Sequence, residues 1–150
     1  MKRISFNRKV LFSSTSQDWT TPKDVYDELD KEFNFDFDPC PNNPSFDGLN
    51  INWGVANFVN PPYKSDLQDA FIKKAYEESL LGKVCVILIP SRTDTKRWHN
   101  YILPFASEIR FIKGRLKFGG SKNSAPFPSA IIIFNGIDER CSNCNIDLKD

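Results

Sequence analysis

The feature that most constrains the fold is an uninterrupted apolar run, Val-Cys-Val-Ile-Leu-Ile, at residues 84–89. A strand with no polar alternation has no face to give to water, so it must be covered on both sides. Its flanks say by what. A helix is expected from Ser65: Ser65 caps it, Gln68 stands three residues on, and Leu67, Phe71, Ala75 and Ser79 share one face. Gly82 ends it in the C′ position. A second helix is expected from Pro22, with Thr21 as cap, Asp24 completing a capping box, and Val25, Leu29 and Phe33 as the buried stripe up to Asn34.

Shorter elements complete the pattern. Phe35-Asp36-Phe37 reads as a strand ending at Asp38, and Asn57-Phe58-Val59 as a strand ending at Asn60. Between them, Pro41, Asn42, Asn43, Pro44 and Gly48 mark a loop. Residues 98–103 suit a short helix, and 108–112, 115–118 and 129–134 suit strands, the last two joined by a Gly-, Ser- and Pro-rich loop. The order predicts an α/β chain with a mostly parallel sheet and an antiparallel edge. Ligands of such sheets bind beyond the carboxyl ends of the strands. Asp38 and Asn60 both fall at such ends, hence on one rim.

The chain of 150 residues suits a single domain over 1–150, with an irregular lead-in at 1–18 and a polar tail at 136–150. No apolar run approaches the roughly 20 residues of a membrane span, and the basic N-terminus lacks the apolar stretch of a signal peptide. The net charge of +1 is uninformative, but its distribution is uneven. Residues 18–38 are acidic, whereas cations gather at Arg92, Lys96 and Arg97 and at Arg110, Lys113, Arg115, Lys117 and Lys122. Four cysteines suit a reducing cytoplasm. Cys141-Ser142-Asn143-Cys144 is one C-x-x-C in a chain whose only histidine is His99, short of the four ligands zinc needs, so no metal is expected.

The sharpest pattern is Asn60-Pro61-Pro62-Tyr63. Two prolines stiffen the backbone and remove two N–H donors. What remains is acceptor-rich: the Asn60 side-chain oxygen and the Pro61 carbonyl, beside the flat ring of Tyr63. An acceptor pair next to an aromatic face suits a planar group bearing NH₂. The tetrapeptide resembles the fourth motif of amino-methyltransferases. An aromatic amine is a weak nucleophile, and acceptors on its hydrogens stabilise the positive charge that develops on nitrogen. The displacement is otherwise a matter of positioning and requires no nucleophilic side chain.

From Trp19 to Phe134 the chain resembles the phage-type, Dam-like DNA N6-adenine methyltransferases of bacteriophages and prophages. The matching blocks are Trp19-Thr20-Thr21-Pro22, Phe37-Asp38-Pro39-Cys40, Asp47-Gly48-Leu49 before Trp53, Val59-Asn60-Pro61-Pro62-Tyr63, Gly114-Arg115-Leu116-Lys117-Phe118 and Pro126-Phe127-Pro128-Ser129-Ala130. The resemblance implies a shortened Rossmann-like sheet with a terminal antiparallel hairpin, S-adenosylmethionine as cofactor, and DNA as partner. It places the enzyme, as monomer or homodimer, in the cytoplasm of a bacterial host. Trp19, Thr21, Pro22, Asp38, Pro39 and Cys40 match cofactor-side positions; the acid for the ribose has no direct counterpart, Asp47 being the candidate with an Asp-Gly turn as its equal alternative. Asn60, Pro61, Pro62 and Tyr63 match the catalytic motif. Arg92, Lys96, Arg97, Arg115, Lys117 and Phe127 are the expected DNA contacts, and Tyr63 the platform for a flipped adenine. Two departures stand out. Asp-Pro-Cys-Pro-Asn-Asn-Pro replaces the usual Gly-rich loop, and only about twenty residues separate Asp38 from Asn60, so strands are expected to be missing there.

Other readings use the same residues. Pro39-Cys40 suggests covalent attack on a cytosine ring, but Cys40 follows the first strand rather than the motif strand. Asn-Pro-Pro-Tyr also suits methylation of protein glutamine or of a base amine in RNA. A DNA-binding module that has lost catalysis would have no need of an intact Asn60 motif. His99, beside Trp98, reads as structural.

Overall fold

The computed structural model describes residues 19–136. The lead-in before Trp19, the tail beyond Gly136 and the Cys141–Cys144 pair lie outside the described residues. Four strands, β1 (Ala56–Val59), β2 (Val84–Pro90), β3 (Glu108–Phe111) and β4 (Ser129–Asn135), form one sheet in the order β1-β2-β4-β3. The helices are α1 (Lys23–Phe33), α2 (Ser65–Ser79) and, after β2, a π-helical turn, Trp98–Ile102, that runs into the short helix α3 (Leu103–Phe105).

The apolar run does what its composition requires. From Cys85 to Pro90 every residue of β2 is buried. Alternate residues feed two cores. Cys85, Ile87 and Ile89 meet Phe71, Ile72 and Ala75 of α2 with Trp98 and Ile102. Val86 and Leu88 meet Leu29 of α1 with Phe118 and Phe127, and Val25 and Phe33 pack on the same side. The sheet is therefore sandwiched between α1 on one face and α2 with the π turn on the other.

Its topology is mixed rather than mostly parallel. β1 and β2 pair in parallel, while β4 pairs antiparallel with both β2 and β3. The reason lies in the connections. α2 carries the chain back between β1 and β2, but residues 112–128 contain no helix long enough to do so, and the chain simply returns antiparallel. The terminal hairpin is thus β3–β4.

Two expected strands do not form. Phe37 makes one isolated bridge to Asn57, because the Asp36 carboxylate takes the amides of Val55 (3.1 Å), just before β1, and Ala56 (2.8 Å), and the chain then enters the proline-rich loop. Residues 115–118 follow Gly114, whose φ of 75° turns the chain, and end in a 3₁₀ turn at Phe118–Gly120 that sends Phe118 into the core.

Helix boundaries also differ. Pro22 is the cap of α1 and Lys64 that of α2, and neither Thr21 nor Ser65 caps through its side chain. Both hydroxyls are engaged elsewhere, as described below. Asn34 ends α1 in the left-handed region, whereas Gly82 (φ 89°) lies two residues past the α2 cap, Leu80.

Candidate active site

The proline-rich loop after Phe37 is held by tertiary contacts rather than by secondary structure. Pro39 is fully buried, and a Cβ at Gly48 would stand 2.1 Å from its carbonyl oxygen, so the two backbones meet where only glycine fits. The buried Trp53 indole donates to the Gly48 carbonyl at 2.7 Å. The Asn57 amide, fully buried in β1, bonds Gly54 and the Val84 carbonyl. These contacts set Asp38 and Asn60 beside each other at the carboxyl ends of adjacent parallel segments.

Both line a cavity of about 300 Å³, together with Thr20, Thr21, Lys23, Tyr26, Cys40, Asn42 and Phe58. Burial raises the Asp38 carboxyl above the usual aspartate range, against the bond it accepts from the Cys40 amide at 2.8 Å. Asn42 Nδ2 donates to Thr20 Oγ1 at 3.0 Å. Tyr26, Thr20, Lys23 and Asn42 were not among the expected site residues. Asn42 had a signal, as a polar residue in the loop beyond a strand end. Tyr26 had none, since it adjoins the apolar stripe of α1 and reads as core.

Asn60 follows the last residue of β1. Its Nδ2 donates to the Trp19 carbonyl at 2.8 Å and to Thr21 Oγ1 at 3.0 Å. A carbonyl only accepts, so the amide's NH₂ end is fixed toward Trp19. Asn60 Oδ1 is left buried with no hydrogen-bond partner among the described residues. A buried acceptor in that state costs about 1–3 kcal/mol, and a donor entering the site recovers it.

A second cavity, of about 260 Å³, is lined at Tyr63, three residues beyond Asn60. It is lined by Trp19, Tyr63, Ser65, Gln68, Pro90, Arg92, Thr95, Arg97, Pro126 and Phe127. Four rings gather there. The Tyr63 ring lies 4.6 Å from Trp19, 5.4 Å from Phe127 and 5.9 Å from Phe118, centroid to centroid. Burial pushes the Tyr63 hydroxyl far above its ordinary range, so it stays protonated, and it too is without a partner among the described residues. Phe118 escaped sequence reasoning because its segment was expected to be a strand.

Several expected roles change with placement. The Trp19 ring lines the second cavity rather than the one at Asp38. Pro22 lines neither and serves as the cap of α1. Asp47 closes its own turn, accepting from the Leu49 amide at 3.0 Å and Asn50 Nδ2 at 2.6 Å, as an Asp-Gly turn does. It lines neither cavity. Burial, then the negative charges of Asp38 and Asp47, hold the Cys40 thiol well above its ordinary range. A thiol held protonated is a poor nucleophile. Cys40→Ser is expected to keep kcat within a few-fold in a methyl-transfer assay, any change falling on cofactor KM; loss of all turnover would restore the covalent reading. Among the described residues no cluster of three or more His, Cys, Asp or Glu is placed to hold a metal, and no helix is long and apolar enough to cross a membrane.

The basic residues divide. Arg92, Lys96, Arg115 and Lys117 are exposed, and the Arg92 guanidinium lies 5.7 Å from the centre of the Phe127 ring. Arg97 does not belong with them. Its side chain is 5% exposed and donates to Asp69 Oδ1 (2.6 Å), Gln68 Oε1 (3.1 Å), and the Ser65 carbonyl (3.1 Å) and Oγ (2.7 Å). It ties the loop after β2 to the start of α2, directly behind Tyr63. Arg97→Ala is therefore expected to lower the melting temperature, whereas Arg92→Ala is expected to leave it and to reduce the salt slope of DNA binding by about one. Titrations at several salt concentrations beside thermal melts separate the two.

A mixed α/β sheet with an unpaired buried acceptor in the lining of a cavity is compatible with a small methyltransferase. The family model described as DNA N-6-adenine-methyltransferase (Dam) matches residues 10–142, most of the chain, and the protein belongs to that family. Membership implies, in general terms, methylation of adenine in DNA. No curated protein matches the sequence.

Proposed function

We propose that this protein methylates the N6 amine of an adenine flipped out of DNA, with S-adenosylmethionine as donor and Asn60 Oδ1 as the acceptor that grips the amine. The observation that carries this reading is the buried, unpartnered oxygen of Asn60, a residue that lines the cavity at Asp38 three positions before the Tyr63 ring of the second cavity. An amine hydrogen on that oxygen removes an unsatisfied group and stabilises charge developing on nitrogen.

The cavity at Asp38 fits the cofactor. Its lining offers a carboxylate, two threonine hydroxyls, the Tyr26 phenol and the Asn42 amide, a donor and acceptor set suited to ribose hydroxyls and an amino-acid end. Asp38, Asn42 and Cys40 would hold it there, while Thr21 Oγ1 is engaged by Asn60 Nδ2. Asp47 is a weaker candidate for the ribose, because its turn engages both oxygens. When bound, the cofactor supplies a sulfonium methyl that needs no further activation by the protein.

The chain's own residues do the rest. The Pro61 carbonyl, in a turn without N–H donors at 61 and 62, is the second acceptor for the amine. A base cannot be read inside the duplex by so small a site, so it must be extruded and stacked. Tyr63 and Phe127 supply the aromatic wall. Trp19 is in direct contact with Tyr63 at 4.6 Å, so a base stacking on that face of Tyr63 must displace the indole. Arg92, Lys96, Arg115 and Lys117 are the proposed phosphate contacts. The amine nitrogen is itself the nucleophile, so no step requires a nucleophilic side chain or His99, and the departing proton passes to solvent.

The test is to sequence DNA from cells expressing the protein. N6-methyladenine in a defined context is expected; an unmodified genome beside abundant folded protein would overturn the proposal.

A further inference from the structure

The geometry points to Thr21 as a positioning residue that, with the Trp19 carbonyl, anchors the Asn60 amide so that its oxygen is left for the target amine. This rests on Asn60 as the amine acceptor and adds a condition that acceptor must meet. The two ends of an Asn amide are nearly the same size and opposite in hydrogen-bonding character. If the amide turned over, Nδ2 would oppose the amine hydrogens, donor against donor, and the site would repel its substrate.

The Trp19 carbonyl, an acceptor only, excludes the turned-over amide, and the Thr21 hydroxyl anchors the same end. The Trp19 carbonyl and Thr21 Oγ1 both take Nδ2, from positions 41 and 39 residues away in the chain. Their mounting is firm, since Pro22 caps α1 and its carbonyl accepts the Tyr26 amide at 3.1 Å. Thr21 stands where a helix would use its hydroxyl as a cap, yet α1 has no side-chain cap bond. The hydroxyl serves Asn60 instead. Thr21 also lines the cavity at Asp38, so a contact to the cofactor is the competing role for it.

Thr21→Val keeps the shape and removes the hydroxyl, and Thr21→Ser keeps the hydroxyl and removes a methyl. For Thr21→Val, kcat is expected to fall about tenfold, the scale of one hydrogen bond, with KM for DNA and for cofactor nearly unchanged. Thr21→Ser is expected to restore kcat. A raised cofactor KM at unchanged kcat, or equal losses in both variants, would overturn the inference. A second readout needs no turnover. The side-chain amide hydrogens of Asn60, followed by ¹⁵N NMR, are expected to exchange slowly with water in the parent and faster in Thr21→Val. Equal exchange rates would overturn the inference. Faster exchange in a protein that methylates no adenine would uphold the positioning and refute the proposed function.

Discussion

Asn60→Ala is expected to abolish methyl transfer to within background while leaving the protein folded. The substitution removes the unpartnered Oδ1 and with it the main acceptor for the amine. Loss of one preorganised group aimed at developing charge typically lowers kcat by about 10²–10³, and here the positioning of the nitrogen is lost as well. Folding should survive. Asn60 lies beyond the last residue of β1, outside both hydrophobic clusters, and removing it deletes an unsatisfied buried oxygen. The Trp19 carbonyl and Thr21 hydroxyl lose a donor, which sets a modest cost of about 1 kcal/mol each. Single-turnover kinetics beside a thermal melt make the check. An active, stable Asn60→Ala protein would refute the assigned mechanism.

Tyr63 carries the second large effect, and its ring and hydroxyl separate cleanly. Tyr63→Ala removes the centre of the aromatic cluster. Stacking of a base on an aromatic side chain is worth about 1–3 kcal/mol, so kcat/KM should fall by about 5- to 150-fold, with some loss of stability as Trp19, Phe118 and Phe127 lose their shared neighbour. Tyr63→Phe should behave otherwise. The hydroxyl is buried without a partner, so its removal relieves a desolvated group rather than breaking a bond. The melting temperature should hold or rise, and base stacking should persist. A Tyr63→Phe loss as large as that of Tyr63→Ala would mean that the hydroxyl, not the ring, meets the substrate.

The residues differ in how far the sequence alone reveals them. Asn60 was legible because two local facts coincide, a strand end and a donor-poor turn. The apolar run of β2 announced a sheet covered on both faces, and it lies in one. The place of the antiparallel strand was not legible: 129–134 was expected to pair with 115–118 at an edge, whereas β4 pairs with β3 and lies between it and β2. Arg97 was misread since an arginine in a loop rich in charge is ordinarily solvated; only the fold brings Asp69, Gln68 and Ser65 around it. Thr21 and Ser65 show the same limit in small: each reads as a helix cap, and each gives its hydroxyl to a side chain far along the chain. Local rules fail here where a tertiary partner outcompetes a local one.

The most direct test is to incubate purified protein with methyl-labelled S-adenosylmethionine and, separately, DNA, RNA and a glutamine-bearing protein, then digest and identify the labelled product. Label recovered as N6-methyladenine from DNA is the expected result. Label in 5-methylcytosine, or in RNA or protein alone, would contradict it.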